Sequence, residues 1–382
     1  MNPPVDILET NLIAGIDLRR SSGDLPGAEA LCRLLLDAAE KDPVQRRLTF
    51  RLVFCLGDIL YQLGRYVEAE SCARRAVTLA ESGATAESEP KHNVGSSLIL
   101  LGKTVREQGR YPEAEAALAQ AITITGTMES SREILVHALN EYGVLSAAAG
   151  WFECGASAFQ HALDLAREIH GESSALAASI LRNTGCLEHA RGRFNDAELP
   201  IRQALEMRRQ LLGDSHLDVL GDSVAYAAVL DSLGRRGESR CIYETAIEKY
   251  HGAYGPEHHE IAAALHNLAV VEHADGDLKR AEELARRAVS MKRNLLGVEH
   301  PDAAFSSMSL AAILLAAGKQ GEASILLRRA LSVFERIQSP EHPMRKTCRE
   351  LLAEALRRSA AITNEEFERA IFPSNAAELC AR

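Results

Sequence analysis

Apolar residues return every three or four positions along most of this chain. In residues 261–301, IAAALHNLAVVEHADGDLKRAEELARRAVSMKRNLLGVEHP, that rhythm runs on both sides of Asp275-Gly276-Asp277. The pattern predicts two amphipathic helices broken at the glycine. The same sentence is written again and again, and the repetition governs everything else that can be read from the chain.

Glycines mark the predicted breaks at Gly64, Gly109, Gly150, Gly192, Gly234, Gly276 and Gly318, spaced 42 residues apart in four of the six intervals. Twelve residues after each stands an alanine, from Ala76 to Ala330. Five after stand Ala69, Ala114, Gly155, Ala197, Ser239, Ala281 and Ala323, and seven before stand Gly57, Gly102, Gly143, Gly185, Ala227, Ala269 and Ala311. Glycine at a break lets a helix end at little steric cost. Small residues in register are expected where paired helices approach closely, because a larger side chain there would overpack. Two residues after the break, Tyr66, Tyr111, Phe152 and Phe194 are read as aromatic plugs between the helices.

These columns resemble the tetratricopeptide repeat (TPR), and the longer unit, with linkers such as LGDSHLD, YGPEHHE and LGVEHPD and the run His-Asn-Leu-Ala, resembles the kinesin-light-chain variety. The resemblance implies an all-α, right-handed superhelical solenoid of antiparallel helix pairs. Residues 44–343 are expected to hold seven repeats, 1–43 a degenerate N-terminal repeat with its break at Gly23, and 344–382 a capping helix and tail. A helix is predicted over 344–359 and a short one over 364–372, while 82–92 forms the longest linker. The apolar residues of 367–380 offer a face for a partner subunit, and the oligomeric state stays open. Two local departures stand out. The fifth copy has Arg236 for its plug and Ser239 for its alanine, so looser packing is expected there. Pro200 lies about one turn into the second helix of the fourth copy, where it removes a hydrogen bond; a kink or a late helix start is expected.

Composition narrows the function. A net charge of −10 argues against a nucleic-acid surface. No apolar run approaches the roughly 20 residues needed to span a bilayer, and the N-terminus lacks the plan of a signal peptide. Eight cysteines without a CxxC pair fit reduced thiols in a cytoplasmic protein. No nucleotide or nucleophile motif is present, so neither cofactor nor catalytic residue is expected. His216, His258, His300 and His342 stand 42 apart. Packed helices are separated by about 8–10 Å, so four equivalent linker histidines cannot converge on one metal, and capping of the next helix is the expected role. Glu188-His189 and Glu272-His273 are adjacent on helices and point in different directions, so neither is a dyad by itself.

In the family it resembles, the first helix of each pair lines a concave groove that binds a partner. Carried over position by position, the candidate groove residues are Lys103, Arg106, His137, Asn140, Glu141, Arg182, Asn183, His189, His266, Asn267 and His273. Asn183 and Asn267 match the asparagine with which such repeats hold a peptide backbone; a carboxamide donates and accepts as a peptide unit does. Lys103, Arg106 and Arg182 form a small basic patch suited to a carboxylate. The leading expectation is a non-enzymatic scaffold holding a protein or peptide segment. The alternatives are a peptide-responsive sensor and a small-molecule or catalytic pocket inside the superhelix.

Overall fold

The glycine breaks fall where the periodicity puts them, and what lies between them is helix. The computed structural model describes residues 5–21, 24–41, 45–82, 90–127, 129–337 and 342–362, and every regular element among them is helical. The chain divides into two compact units, 1–222 and 223–382.

The first unit begins with α1 (Val5–Ser21) and α2 (Leu25–Ala39), the worn terminal copy. Four clear copies follow: α3 (Arg46–Gln62) with α4 (Tyr66–Glu81), α5 (Pro90–Glu107) with α6 (Tyr111–Thr125), α7 (Arg132–Ala149) with α8 (Phe152–His170), and α9 (Ala175–Ala190) with α10 (Phe194–Leu212). The helix α11 (Leu217–Ser232) contributes its first residues here and the rest to the second unit. There it is followed by α12 (Arg236–Tyr254), α13 (His259–Ala274), α14 (Leu278–Leu296), α15 (Pro301–Ala316), α16 (Gln320–Ile337) and α17 (Pro343–Ile362). The predicted capping helix over 344–359 is α17. Gly23, most of the long linker and the short helix expected over 364–372 lie outside the described residues.

Within each unit, a first helix packs on its own partner and on the first helix of the neighbouring copy. In the first unit this aligns α1, α3, α5, α7 and α9 in one layer, and in the second α13, α15 and α17. The small-residue columns make the pairing possible. A Cβ on Gly143 would meet the Phe159 ring at 2.5 Å, and one on Gly102 would meet Leu118 at 2.6 Å. The alanines of both second-helix columns are buried, and Phe159 is sealed among Leu135, Leu139, Leu163 and Ile180; an aromatic buried in this way contributes about 2–3 kcal/mol. Gly276 has φ 89°, and the amide after it, on Asp277, donates to Glu272 C=O at 3.0 Å, which closes the first helix. Only glycine takes that conformation without strain.

The linker histidines cap helices. In each of His216, His258, His300 and His342, Nδ1 accepts the backbone N–H two residues on, at 3.2, 3.3, 3.1 and 3.1 Å. Charged second-helix faces carry ion pairs between copies, as in Arg65–Glu29, Arg110–Glu70 and Lys319–Glu282. Such exposed pairs are worth about 0–1 kcal/mol each.

Two expectations need correction. Of the two outcomes expected at Pro200, the late start is the one that falls: α10 runs from Phe194 to Leu212 with Pro200 in its interior. The fifth copy is not loosened at its second helix. Ser239 is fully buried and its hydroxyl donates to Ala227 C=O at 2.8 Å, and Tyr243 and Tyr250 of the same helix are buried too.

Candidate functional site

The layer of first helices in the first unit carries a continuous polar ladder. At its start Asp58 of α3 receives three donors: Arg20 of α1, Lys103 Nζ of α5 at 2.6 Å, and Gln62 Nε2 at 3.0 Å. Burial alone would raise the Asp58 carboxyl's pKa; Lys103 and Arg20 overcome that and hold it below its ordinary value. Lys103 also stands 4.3 Å from the Tyr61 ring centroid, and Tyr61 donates its hydroxyl to Glu107 at 3.3 Å. Arg106 pairs with Glu107 at 2.7 Å and reaches Glu141 of α7 at 3.5 Å. Burial works against the charge on Arg106, but the two carboxylates outweigh it and keep the guanidinium's pKa raised.

Further along, Asn183 of α9 donates Nδ2 to Asn140 Oδ1 of α7 at 2.9 Å. Asn140 is nearly buried and Asn183 half-buried. The other half of each carboxamide, Asn183 Oδ1 and Asn140 Nδ2, has no hydrogen-bond partner among the described residues. His137 is exposed on the same helix as Asn140. His189 is half-buried, its ring 5.3 Å from that of Phe194. Arg182 lies 3.4 Å from Asp222, and Asp222 is held more tightly by Arg208 of α10 at 2.6 Å.

The basic patch expected from Lys103, Arg106 and Arg182 is therefore not a free one: each cation already faces a carboxylate of the chain. Those carboxylates come from neighbouring copies or neighbouring positions, so the columns read one copy at a time do not reveal them.

In the second unit the candidates separate. Asn267 is half-buried near the buried Tyr243. His273 is half-buried, and burial lowers its pKa. His266 does not line an open groove: it is 4% exposed, with its ring 4.8 Å from Phe305. Burial, with Lys292 nearby, brings its pKa down to about 3. The glutamate–histidine couples also dissolve. Glu272 is buried and accepts from Arg240 at 3.1 Å, and Glu188 faces Arg191 and Arg193, so each acid serves arginines rather than its neighbouring imidazole.

A shallow depression of about 480 Å³ opens elsewhere, among Ile122, Leu139, Tyr142, Glu153, Cys154, Ser157, Ala158 and His161. None of the candidate groove residues lines it.

Sequence columns missed Arg208, Asp222 and Lys292. A signal was available. The column sixteen residues after each glycine reads Ala80, Thr125, Ala166, Arg208, Tyr250, Lys292 and Phe334, and all seven are buried. A charge in a core column marks a built polar site.

The tetratricopeptide-repeat profile matches residues 48–125, 135–210 and 221–294, more than half of the chain, and the chain belongs to that family. No curated protein sequence matches it. Among solved structures, the Rap protein complexed with competence and sporulation factor aligns over 92% of this chain and 98% of its own, at 12% identity and TM-score 0.57. The apo form of the quorum sensor NprR from B. thuringiensis aligns over 87% and 89%, at 15% identity and TM-score 0.57. BtubC (BKLC) from P. vanneervenii is 21% identical over 59% of this chain and 91% of its own, with TM-score 0.45. At these identities the likeness is one of fold.

Proposed function

We propose that the layer of first helices in the first unit is a binding surface for an extended peptide segment of a partner, and that the protein acts as a scaffold or adaptor. One observation carries the reading: the Asn140–Asn183 pair is half-used. Its spare carbonyl and spare amide are the complement of a peptide N–H and C=O. Neither atom is sealed from solvent, so a peptide unit can take the place of water on both. The flanking ladder from Asp58 to Glu141 supplies side-chain selectivity around that anchor.

Selection of peptides from a random library on the full chain, followed by fluorescence anisotropy with a selected peptide, tests this. Asn140→Ala and Asn183→Ala should each weaken binding about tenfold, the cost of one or two buried hydrogen bonds. Unchanged affinity in both variants would remove the assignment.

A peptide-responsive sensor is the second reading. Two proteins that share the fold support it: a Rap protein solved with competence and sporulation factor, and NprR, described as a quorum sensor. A selected peptide that alters the small-angle scattering profile would favour the sensor, and one that binds without altering it the passive scaffold. A catalytic pocket is the least supported alternative, because His266 is sealed against Phe305 while His137 is exposed.

A further inference from the structure

The second unit repeats a buried charge site of the first with one member missing. In the first unit Asp222 is enclosed by Arg208 at 2.6 Å and Arg182 at 3.4 Å, and Ser179 Oγ accepts from Arg208 at 2.9 Å. Two repeats later in sequence, the positions of Arg208, Arg182 and Asp222 are occupied by Lys292, His266 and Ser306. Lysine keeps the positive charge of Arg208, and histidine keeps a nitrogen donor, though not the charge, of Arg182. The acid has become serine, which is shorter by the carboxylate.

The register makes this equivalence structural. Residues fourteen apart, running from a second helix to the next first helix, meet across copies. Arg208 bonds Asp222, Arg293 bonds Ser307 at 3.2 Å, and Arg349 bonds Glu335 at 2.8 Å, each pair with that separation. Lys292 and Ser306 have the same separation, one position before Arg293 and Ser307.

Lys292 is 7% exposed, and among the described residues no carboxylate comes within salt-bridge distance of it. Asp302, exposed at the start of α15, acts on it only from further away. Ser306 is 1% exposed and its hydroxyl has no hydrogen-bond partner. A buried ammonium and an unsatisfied buried hydroxyl, paired by register, are costly unless an anion completes the set.

We infer that Lys292, Ser306 and His266 form a binding site for a carboxylate supplied from outside the chain, which takes the place that Asp222 holds in the first unit. The ammonium and the hydroxyl donate to the two carboxylate oxygens. The His266 ring, fixed against Phe305, offers an N–H from the α13 side. The site lies wholly within the second unit and stands independently of the peptide reading of the first.

The test uses the full chain with histidine ring carbons labelled for NMR, and His266→Gln to assign the signal. Formate is the probe, with formamide as the neutral control and chloride at matched ionic strength. Formate should shift the His266 signal saturably, while formamide and chloride should not. Lys292→Met, which keeps the volume and removes the charge, should weaken the response at least about tenfold. Ser306→Asp should restore an internal acid, raise the urea midpoint and abolish the formate response. Saturation by N-acetylglycine as well points to a chain end as the source, and saturation by formate alone to a small free carboxylate; either upholds the site. A formate response that persists in Lys292→Met, a chloride response equal to that of formate, or a lowered midpoint in Ser306→Asp would overturn it.

Discussion

Gly185→Ala puts the close approach of paired helices to a direct test. A Cβ at this position would fall 2.3 Å from Ile201 Cγ1 and 2.9 Å from the backbone oxygen of Ala197. Ile201 can rotate to give way, but the Ala197 carbonyl belongs to α10, packed face to face with α9, and Ala197 is fully buried. Overpacking of this kind costs about 1–3 kcal/mol, and a backbone obstacle places it near the top of that range. Alanine returns about 1 kcal/mol through helix propensity. The net expectation is a loss of about 2 kcal/mol. Gly252 of α12 is the internal control, since a Cβ there meets nothing within 4 Å, and Gly252→Ala should gain about 0.5–1 kcal/mol. Urea titration followed by far-ultraviolet circular dichroism reads both as midpoint shifts of opposite sign. Because stacked repeats need not unfold in one step, midpoints and slopes are compared together. Ile201→Ala in the Gly185→Ala background should show a favourable coupling of about 1 kcal/mol or more. A Gly185→Ala midpoint at or above that of the unmodified protein would refute the close-approach account of the glycine column.

Asp58→Asn leaves Arg20 and Lys103 facing each other, so stability should fall by about 1–3 kcal/mol, and more at low salt than at high salt in the same titration. The His258 cap should make the protein acid-sensitive. Burial, with His259 adjacent, brings its pKa down to about 4. Between the ordinary value of about 6.5 and that value the unfolded chain binds a proton that the folded chain does not. Stability is therefore full above about pH 6.5 and falls as pH drops toward 4, by about 1–2 kcal/mol in all once solvent screening of the part-exposed ring is allowed for. His258→Asn, a cap that does not titrate, should flatten that part of the pH profile of the urea midpoint. Ser239→Ala restores the family alanine. It removes only the second hydrogen bond to Ala227 C=O, so its midpoint should move by about 1 kcal/mol or less.

The helix pairs and their register were legible because backbone geometry demands them. Glycine with positive φ after the first helix of each of the seven clear copies, and small residues at the close approaches, are requirements that no neighbouring copy can relieve. The His300 cap was legible for the same reason, since its partner, the Asp302 N–H, is two residues away. The site was harder, because its polar partners come from other copies. Nothing near Lys103 in sequence announces Asp58, and nothing near Arg182 announces Asp222. His266 looked like a groove residue by its offset from Gly276; the bulk of Phe305 on the next first helix covers it. Arg208 and Lys292 were hidden inside charge-rich second helices that read as solvent faces. Only their column, buried in every copy, distinguishes them from Arg286, which is exposed and pairs with Glu282 and Glu322.

The charge pairing also bears on what the first unit can select. Lys103, Arg106 and Arg182 each hold a carboxylate of the chain, so an acidic ligand must exchange one ion pair for another and gains little net energy. The Asn140–Asn183 pair needs no such exchange, because its open atoms are uncharged and unshared. Main-chain hydrogen bonds should therefore outweigh side-chain charge in the affinity of a bound segment. With a selected peptide, replacing each Asp or Glu by its amide should change Kd by no more than about threefold, within the range of exposed ion pairs. N-methylation of the one peptide bond engaged by the asparagines should cost about tenfold or more, the loss of a buried hydrogen bond with its acceptor left unmet. A scan of single N-methylated peptides should show one such position, and that loss should vanish in the Asn183→Ala background. If instead the amide replacements abolish binding and no N-methylated position matters, the ladder of ion pairs is the recognition element and the asparagine pair is structural.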